Sequence, residues 1–329
     1  MKQYLKETYK LYIYTLIILL ILLFPMPYFI SNGGGVDNLD KKINVEGGYK
    51  GEGSFNLSYV NELEGTVASY IMSYIMPSWD REKVNDYMII DNESVDDVNN
   101  RGKVSLYQSN DNSTLVAYTK AGKKIEPKEN NYYIYIIFNE NIKNIKVGDK
   151  LYKVNGLDNP DFDVLKDIID KEDKVTITVL RDDKEITEEI NVFTTEEGNR
   201  YIGLTFMNIV DYETDPKIEF VTKDNESGGS AGLMMSLAIY NALTEYDYSR
   251  GLVVAGTGTI SADGTVGEIG GVNYKLTGAV SGGVDIFFVP DGDNYEEALK
   301  IKEKNNYKID LVPVKTFDDA IEYLKNIKK

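Results

Sequence analysis

The chain has 329 residues, a formal net charge of -17, and neither histidine nor cysteine. Those two absences exclude Ser-His-Asp and Cys-His nucleophile systems, His- or thiolate-ligated zinc and any disulfide framework, so a hydrolytic base here has to be Lys, Asp, Glu or Tyr. The acidic surplus repels phosphate backbones and argues against a nucleic-acid partner, while a hydrophobic content of 42% is enough to build two or three cores at this length.

In chain order, the first feature is the uncharged run Leu11 to Ile30. A helix of that length spans about 30 Å. Lysines precede it, Tyr12, Tyr14 and Tyr28 fall at its ends, and Pro25 and Pro27 end or kink it. The run reads as an uncleaved membrane anchor after a short cytoplasmic tail (residues 1–10), with everything beyond residue 30 outside the cytoplasm. A cleaved signal peptide is the alternative, but no small-x-small site follows. Residues 31–44, beginning Ser31-Asn32-Gly33-Gly34-Gly35, read as a flexible linker.

Residues 45–112 form an N-terminal segment. Gly53 to Val60 alternates as a strand does, Leu63 to Met76 is helical and stopped by Pro77, Asp80 to Asp97 is charged and helical, and Asn99 to Ser113 is turn-rich. Between residues 113 and 195 the pattern changes to short strands at Leu115–Thr119, Tyr132–Phe138, Lys150–Val154, Lys174–Arg181 and Glu185–Val192, with a short helix at Phe162–Ile169. On Val147-Gly148-Asp149-Lys150-Leu151-Tyr152-Lys153-Val154-Asn155-Gly156 this stretch resembles a PDZ domain of the bacterial protease type. The resemblance implies a groove that takes an extended peptide along a sheet edge at Tyr133, Ile134 and Tyr135, with Glu129-Asn130-Asn131-Tyr132 as the carboxylate loop. A β domain that serves only as a spacer is the other reading.

From residue 196 to 329 the pattern is α/β. Lys217–Thr222, Gly251–Gly256, Asp285–Val289 and Ile309–Val312 read as strands, and Ala231–Glu245, Tyr295–Lys304 and Phe317–Asn326 as helices. The sharpest local signal is Gly228-Gly229-Ser230-Ala231-Gly232 at a strand–loop–helix junction. Glycines allow a tight turn that exposes the serine hydroxyl, and the helix that follows aims unpaired N–H groups at the same place. The same geometry also suits an anion site or a plain N-cap. Lys275 lies in an apolar stretch with Leu276, Ala279 and Val280 to cover its stem, and desolvation there lowers an ammonium pKa. A snorkelling surface lysine is the bland alternative.

Three groups of residues carry a second resemblance: Gly229-Ser230-Ala231-Gly232; Thr257-Gly258 followed by Val266-Gly267-Glu268-Ile269-Gly270-Gly271; and Lys275 four residues after Gly271. On these, the segment from Gly228 to Val280 with its α/β tail resembles the proteolytic domain of the Lon peptidase family. The resemblance implies Ser230 as nucleophile, Lys275 as general base, Thr257 as a hydrogen-bond partner of the lysine, and the N–H groups of Gly229 and Ser230 as oxyanion donors. It also implies that substrate lies along Phe220, Val221, Thr222 and Lys223. Gly229 replaces the family's proline, and Ser227 stands where an acidic residue is common. With anchor and PDZ-like part included, the whole chain resembles the membrane-anchored, PDZ-containing Lon-like serine proteases of Gram-positive bacteria.

The expected fold is therefore an α/β (α+β) Lon-type proteolytic domain plus a small PDZ-like β domain and one N-terminal transmembrane helix. The expected function is a serine endopeptidase at the cell membrane, cutting unfolded or extended polypeptides with a Ser-Lys dyad. The chain contains no G-x-x-x-x-G-K-[ST] phosphate loop, so the expectation is ATP-independent action with no cofactor and no metal. Lon-type domains often form hexamers, which makes a homo-oligomer the expected partner state. An inert PDZ-containing scaffold is the alternative function.

Overall fold

The computed structural model describes residues 2–76, 78–91 and 93–327, with side chains from residue 8 onward. Eight α-helices are present among them: α1 (Lys2–Leu22), α2 (Val67–Ile75), α3 (Val95–Ala121), α4 (Phe162–Lys171), α5 (Gly232–Leu243), α6 (Val272–Ser281), α7 (Asp293–Asn305) and α8 (Phe317–Asn326). Pro77, expected to stop a helix, lies outside the described residues, as do Met1 and the terminal Lys328 and Lys329.

A mixed six-stranded sheet organises most of the chain. Its order is Asp310–Val314, Ile286–Pro290, Val253–Gly256, Ser54–Thr66, Pro25–Asn38 and Asp80–Lys83. The first four run parallel to one another, and the last two pairings are antiparallel. Strands buried on both faces read as continuous apolar runs, as Ile286-Phe287-Phe288-Val289 does. Alternate residues then divide between two cores. Val254, Ile286, Phe288 and Val312 pack with α3, α5 and α8, whereas Ala255, Phe287, Val289 and Leu311 pack with α6 and α7.

A second six-stranded sheet holds Leu204–Asp215, Lys124–Ile137, Lys150–Val154, Lys174–Arg181 and Lys184–Asn191 in that order, with Leu157–Asp158 added beside Lys150–Val154. Its core contains Ile134, Leu151, Val154, Val175, Ile177 and Val179 beneath Leu165 of α4. Asp149, almost fully buried, receives two hydrogen bonds of 2.6 Å from the Arg181 guanidinium, and this bidentate pair locks the turn that enters the Lys150–Val154 strand. The strand Leu204–Asp215 lies beyond the expected boundary at residue 195 but pairs along its length with Lys124–Ile137.

The N-terminal expectation is overturned. Helix α1 ends at Leu22, and Pro25 to Ile30 enter the main sheet, where Phe29 and Ile30 are buried. From Leu11 to Leu22 a helix rises about 18 Å, well short of a hydrocarbon core of about 30 Å. Among the described residues no helix is long and apolar enough to cross a membrane. The transmembrane helix at 11–30, the membrane contact through it, and the single-pass, extracytoplasmic placement built on it are thereby contradicted.

The linker expected over residues 31–44 is ordered structure as well. Ser31 to Asn38 continue the Pro25–Asn38 strand, and Ile43–Val45 forms a short strand of its own. The glycines there serve packing. A Cβ on Gly34 would lie 2.6 Å from the carbonyl oxygen of Tyr274, and one on Gly278 would lie 2.5 Å from the Gly35 nitrogen. The strand and α6 therefore touch backbone to backbone, and this contact sets the height of α6 above the sheet. Gly278→Ala is expected to lift α6 and cost about 1–3 kcal/mol; urea unfolding checks it.

The longest helix was not apparent from sequence. The expected strand Leu115–Thr119 and the turn-rich stretch Asn99–Ser113 are one helix, α3. Ser94 and Asp97 form a capping box at its start, and Gly122 closes it in the left-handed conformation. Similarly, Asp80 to Asp97 divides into a short strand, a 3₁₀ turn and the first turn of α3, and the strand Ser54–Thr66 runs into the expected helix at Leu63, so α2 starts only at Val67.

Candidate functional site

Ser230 sits in the turn directly before α5, whose N-cap is Ala231. Its hydroxyl accepts a hydrogen bond of 2.9 Å from Lys275 Nζ. Two segments 45 residues apart in sequence are thus joined at the side-chain atoms that matter. Lys275 is only 5% exposed, and burial pushes its ammonium down to about 8. The site therefore holds an amine that is readily deprotonated within reach of a hydroxyl, the arrangement required to make a serine oxygen nucleophilic.

Helix α6 presents Lys275, and its start is held from a neighbouring helix. Asn294 of α7, 8% exposed, accepts from the Ile269 N–H and donates to the Ile269 carbonyl, both at 2.9 Å. This clamp fixes the Glu268–Gly271 turn that feeds α6. Sequence reading missed Asn294; a lone Asn in a charged surface helix gives no signal until its burial is known.

Thr257, fully buried, follows the strand Val253–Gly256. Its Oγ1 donates to the main-chain carbonyl of Ser230 at 3.1 Å, in place of the expected bond to the lysine. The Gly258 N–H donates to that same carbonyl at 2.8 Å. A trans peptide holds C=O and N–H on opposite sides of its plane. Fixing the Ser230 carbonyl therefore fixes the direction of the Ala231 N–H. Among the described residues, the main-chain N–H groups of Gly229, Ser230 and Ala231 donate to no acceptor. They are available, at the positive end of α5, for a developing oxyanion. Gly229 and Ser230 were the expected donors, and Ala231 joins them.

Of Phe220, Val221, Thr222 and Lys223, only Phe220 belongs to a strand, Ile218–Phe220, which pairs antiparallel with Ile43–Val45. Val221 extends that pairing through its N–H to the Lys42 carbonyl at 2.8 Å, and Glu46 N–H reaches the Lys217 carbonyl. Main-chain groups alternate along such a ladder, so those of Ile218, Phe220 and Thr222 face the other edge. That edge carries no strand among the described residues. The Lys223 N–H turns to Glu226 at 3.4 Å.

Tyr133, Ile134 and Tyr135 are elsewhere, in the interior of the second sheet. Tyr133 faces Met207 on one side and Lys150 on the other. The Ile134 N–H and carbonyl are taken by Asp149 and Gly148, each at 2.8 Å. The expected carboxylate loop Glu129–Tyr132 is part of the same strand, paired with Asn208–Asp211. A peptide cannot add where both sides are already paired, so the groove at these residues is corrected; the edge strands of this sheet are Leu204–Asp215, whose Val210 N–H donates to Asp111 of α3 at 3.2 Å, and Lys184–Asn191.

Comparison with known proteins places the same segment in context. A family model described as the Lon protease (S16) C-terminal proteolytic domain matches residues 221–326, so that domain is present in this chain. An archaeal Lon protease of Archaeoglobus fulgidus is 28% identical over 126 residues, covering 38% of this chain and 19% of the relative. A Lon protease of Trichlorobacter lovleyi is 33% identical over 97 residues, covering 30% of this chain and 12% of the relative. A third, from Mesomycoplasma hyopneumoniae, is 31% identical over 99 residues, covering 30% and 11%. The chain thus spans between 11% and 19% of the length of these curated relatives.

Proposed function

We propose that the Lon-type domain of this chain makes it a serine endopeptidase in which Ser230 is the nucleophile and Lys275 the general base. The observation that carries the reading is the 2.9 Å contact between Lys275 Nζ and Ser230 Oγ, with the amine buried. In the first step neutral Lys275 takes the Ser230 proton as the hydroxyl oxygen attacks the scissile carbonyl carbon. The N–H groups of the Gly229–Ala231 turn stabilise the tetrahedral oxyanion. The protonated amine then gives its proton to the leaving amine, and water, deprotonated in turn by Lys275, hydrolyses the acyl-serine. Substrate is an extended polypeptide added to the open edge of Ile218–Phe220 and running on past Thr222. No step in this sequence consumes a nucleotide.

The second sheet, with its Asp149-locked turn and α4, supports reading residues 124–215 as a PDZ-type module.

A fluorophosphonate probe tests the dyad. Wild type is expected to label at Ser230 with a rate that rises with pH and levels off above about 8, because only the neutral amine activates the hydroxyl. Ser230→Ala is expected to lose the label. Persistent labelling of Ser230→Ala at the wild-type rate, or a rate that is flat between pH 6 and 10, refutes the assignment and favours an inert fold.

A further inference from the structure

Helix α3 lies directly behind the nucleophile turn. Its Gly102 carbonyl receives the Gly228 N–H at 2.8 Å, and its Asn112 amide donates to the Ile260 carbonyl at 2.8 Å. Three serines stand along it at four-residue spacing: Ser105, Ser109 and Ser113. In helices a serine hydroxyl ordinarily bonds back to the carbonyl four residues earlier. Ser105 does so to Arg101 at 3.0 Å, and Ser113 to Ser109 at 2.5 Å. Ser109 does not. Its hydroxyl, 4% exposed, donates instead to the Gly229 carbonyl at 3.2 Å.

The Gly229 carbonyl shares a peptide plane with the Ser230 N–H. Holding the one on the α3 side aims the other away from α3. The remaining bond to that carbonyl, from the Gly232 N–H, is longer at 3.3 Å and comes from the same turn, so it cannot hold the turn to the rest of the molecule. The approach of α3 depends on Gly232: a Cβ there would lie 3.0 Å from Ser109 Oγ.

From this geometry we infer that Ser109 is a positioning residue for the oxyanion donor, fixing the Gly229–Ser230 peptide so that the Ser230 N–H points at the reacting carbonyl. The inference rests on the Ser230–Lys275 peptidase reading. Ser109 touches neither substrate nor the dyad side chains; it acts through one peptide plane. Its loss weakens stabilisation of the tetrahedral state and leaves ground-state binding and the titration of Lys275 alone.

The test compares wild type, Ser109→Ala, Ser113→Ala and Ser230→Ala with a fluorogenic casein-derived peptide and the corresponding peptide aldehyde. Ser113 is the matched control, equally buried on α3 but bonded to the body of α5 through the Gly232 carbonyl. For Ser109→Ala, kcat is expected to fall about 10-fold, less than the about 10²–10³-fold loss when an oxyanion donor is removed outright, with KM within twofold. Aldehyde affinity is expected to fall by the same factor, and the pH midpoint of kcat to stay where it is in wild type. Ser113→Ala is expected to lower the melting temperature and keep kcat. If folded Ser109→Ala keeps wild-type kcat, or Ser113→Ala loses as much kcat as Ser109→Ala, the positioning role is overturned while the dyad stands. If wild type cleaves no faster than Ser230→Ala, the peptidase reading fails and this role fails with it.

Discussion

Lys275→Arg is expected to fold and to turn over peptide at least about 10³-fold more slowly than wild type, although the positive charge is kept. General-base transfer contributes about 10²–10⁴-fold to catalysis, and removing one member of an activated-serine constellation costs more than that when the members act as a unit. Arginine cannot supply the function because its guanidinium stays protonated at any working pH. It would still donate to Ser230 Oγ, so a purely structural role for the contact would survive the change. Steady-state kinetics beside a thermal melt decide the matter. A folded Lys275→Arg enzyme with wild-type turnover would mean that the 2.9 Å contact holds the turn and performs no proton transfer.

Lys275→Met is expected to remove activity and to raise stability at neutral pH by about 2 kcal/mol, the balance of a charging cost and a lost hydrogen bond. An unfolded lysine titrates near 10.5, whereas burial lowers the folded value to about 8. Between those values the unfolded chain binds the extra proton, so wild-type stability climbs with pH through that window and falls as pH drops through 8. At about 1.36 kcal/mol per unit the cost of charging the buried amine below pH 8 is about 3 kcal/mol. Methionine has similar length and avoids that cost, and it gives up one hydrogen bond to Ser230 worth about 1 kcal/mol. The gain over wild type is therefore largest below pH 8 and disappears toward pH 10.5. Urea titrations of both proteins at pH 7 and pH 10 check this. A constant difference across that range would show that the amine is not held against its solvation in the folded state.

Both predictions concern Lys275, a residue that could be read in the sequence. Ser230 lies in a short glycine-rich turn and Lys275 in the helix that follows a second one, so the motif is visible without knowledge of packing. The strands around Val254, Phe287 and Val312 were equally visible, because burial on both faces leaves an apolar run. Ser109 left no such trace. The inner face of α3 is lined with Ser105, Ser109 and Ser113, which satisfy their hydroxyls on carbonyls. A helix that buries serine in place of leucine has no apolar stripe, and its sequence looks like a turn-rich loop. The same argument covers the Leu115–Thr119 segment, which reads as a strand when the helix around it is not recognised.

The glycines of residues 33–35 show the opposite failure. Three successive glycines after a proline-containing apolar run read as a tether, yet they form a sheet strand pressed against α6. Backbone contact between segments so distant in sequence is not encoded in any local pattern. Likewise the apolar run Leu11 to Ile30 has the composition of a membrane span, but its last part pairs with Leu63, Glu64 and Arg81 in the main sheet. Hydropathy reports the preference for leaving water and does not report which apolar surface will receive the segment.

By itself the sequence determined the glycine turn that carries Ser230, the lysine that follows a second glycine turn, and the parallel α/β core, because each rests on contacts within a few residues or on burial on both faces. Only the tertiary structure decided how the Gly229–Ser230 peptide is held, where the N-terminal segment lies, and which edges remain open to a peptide. Those features are pairings between distant segments, and a hydrogen bond or a shared surface between them depends on the position of both partners at once.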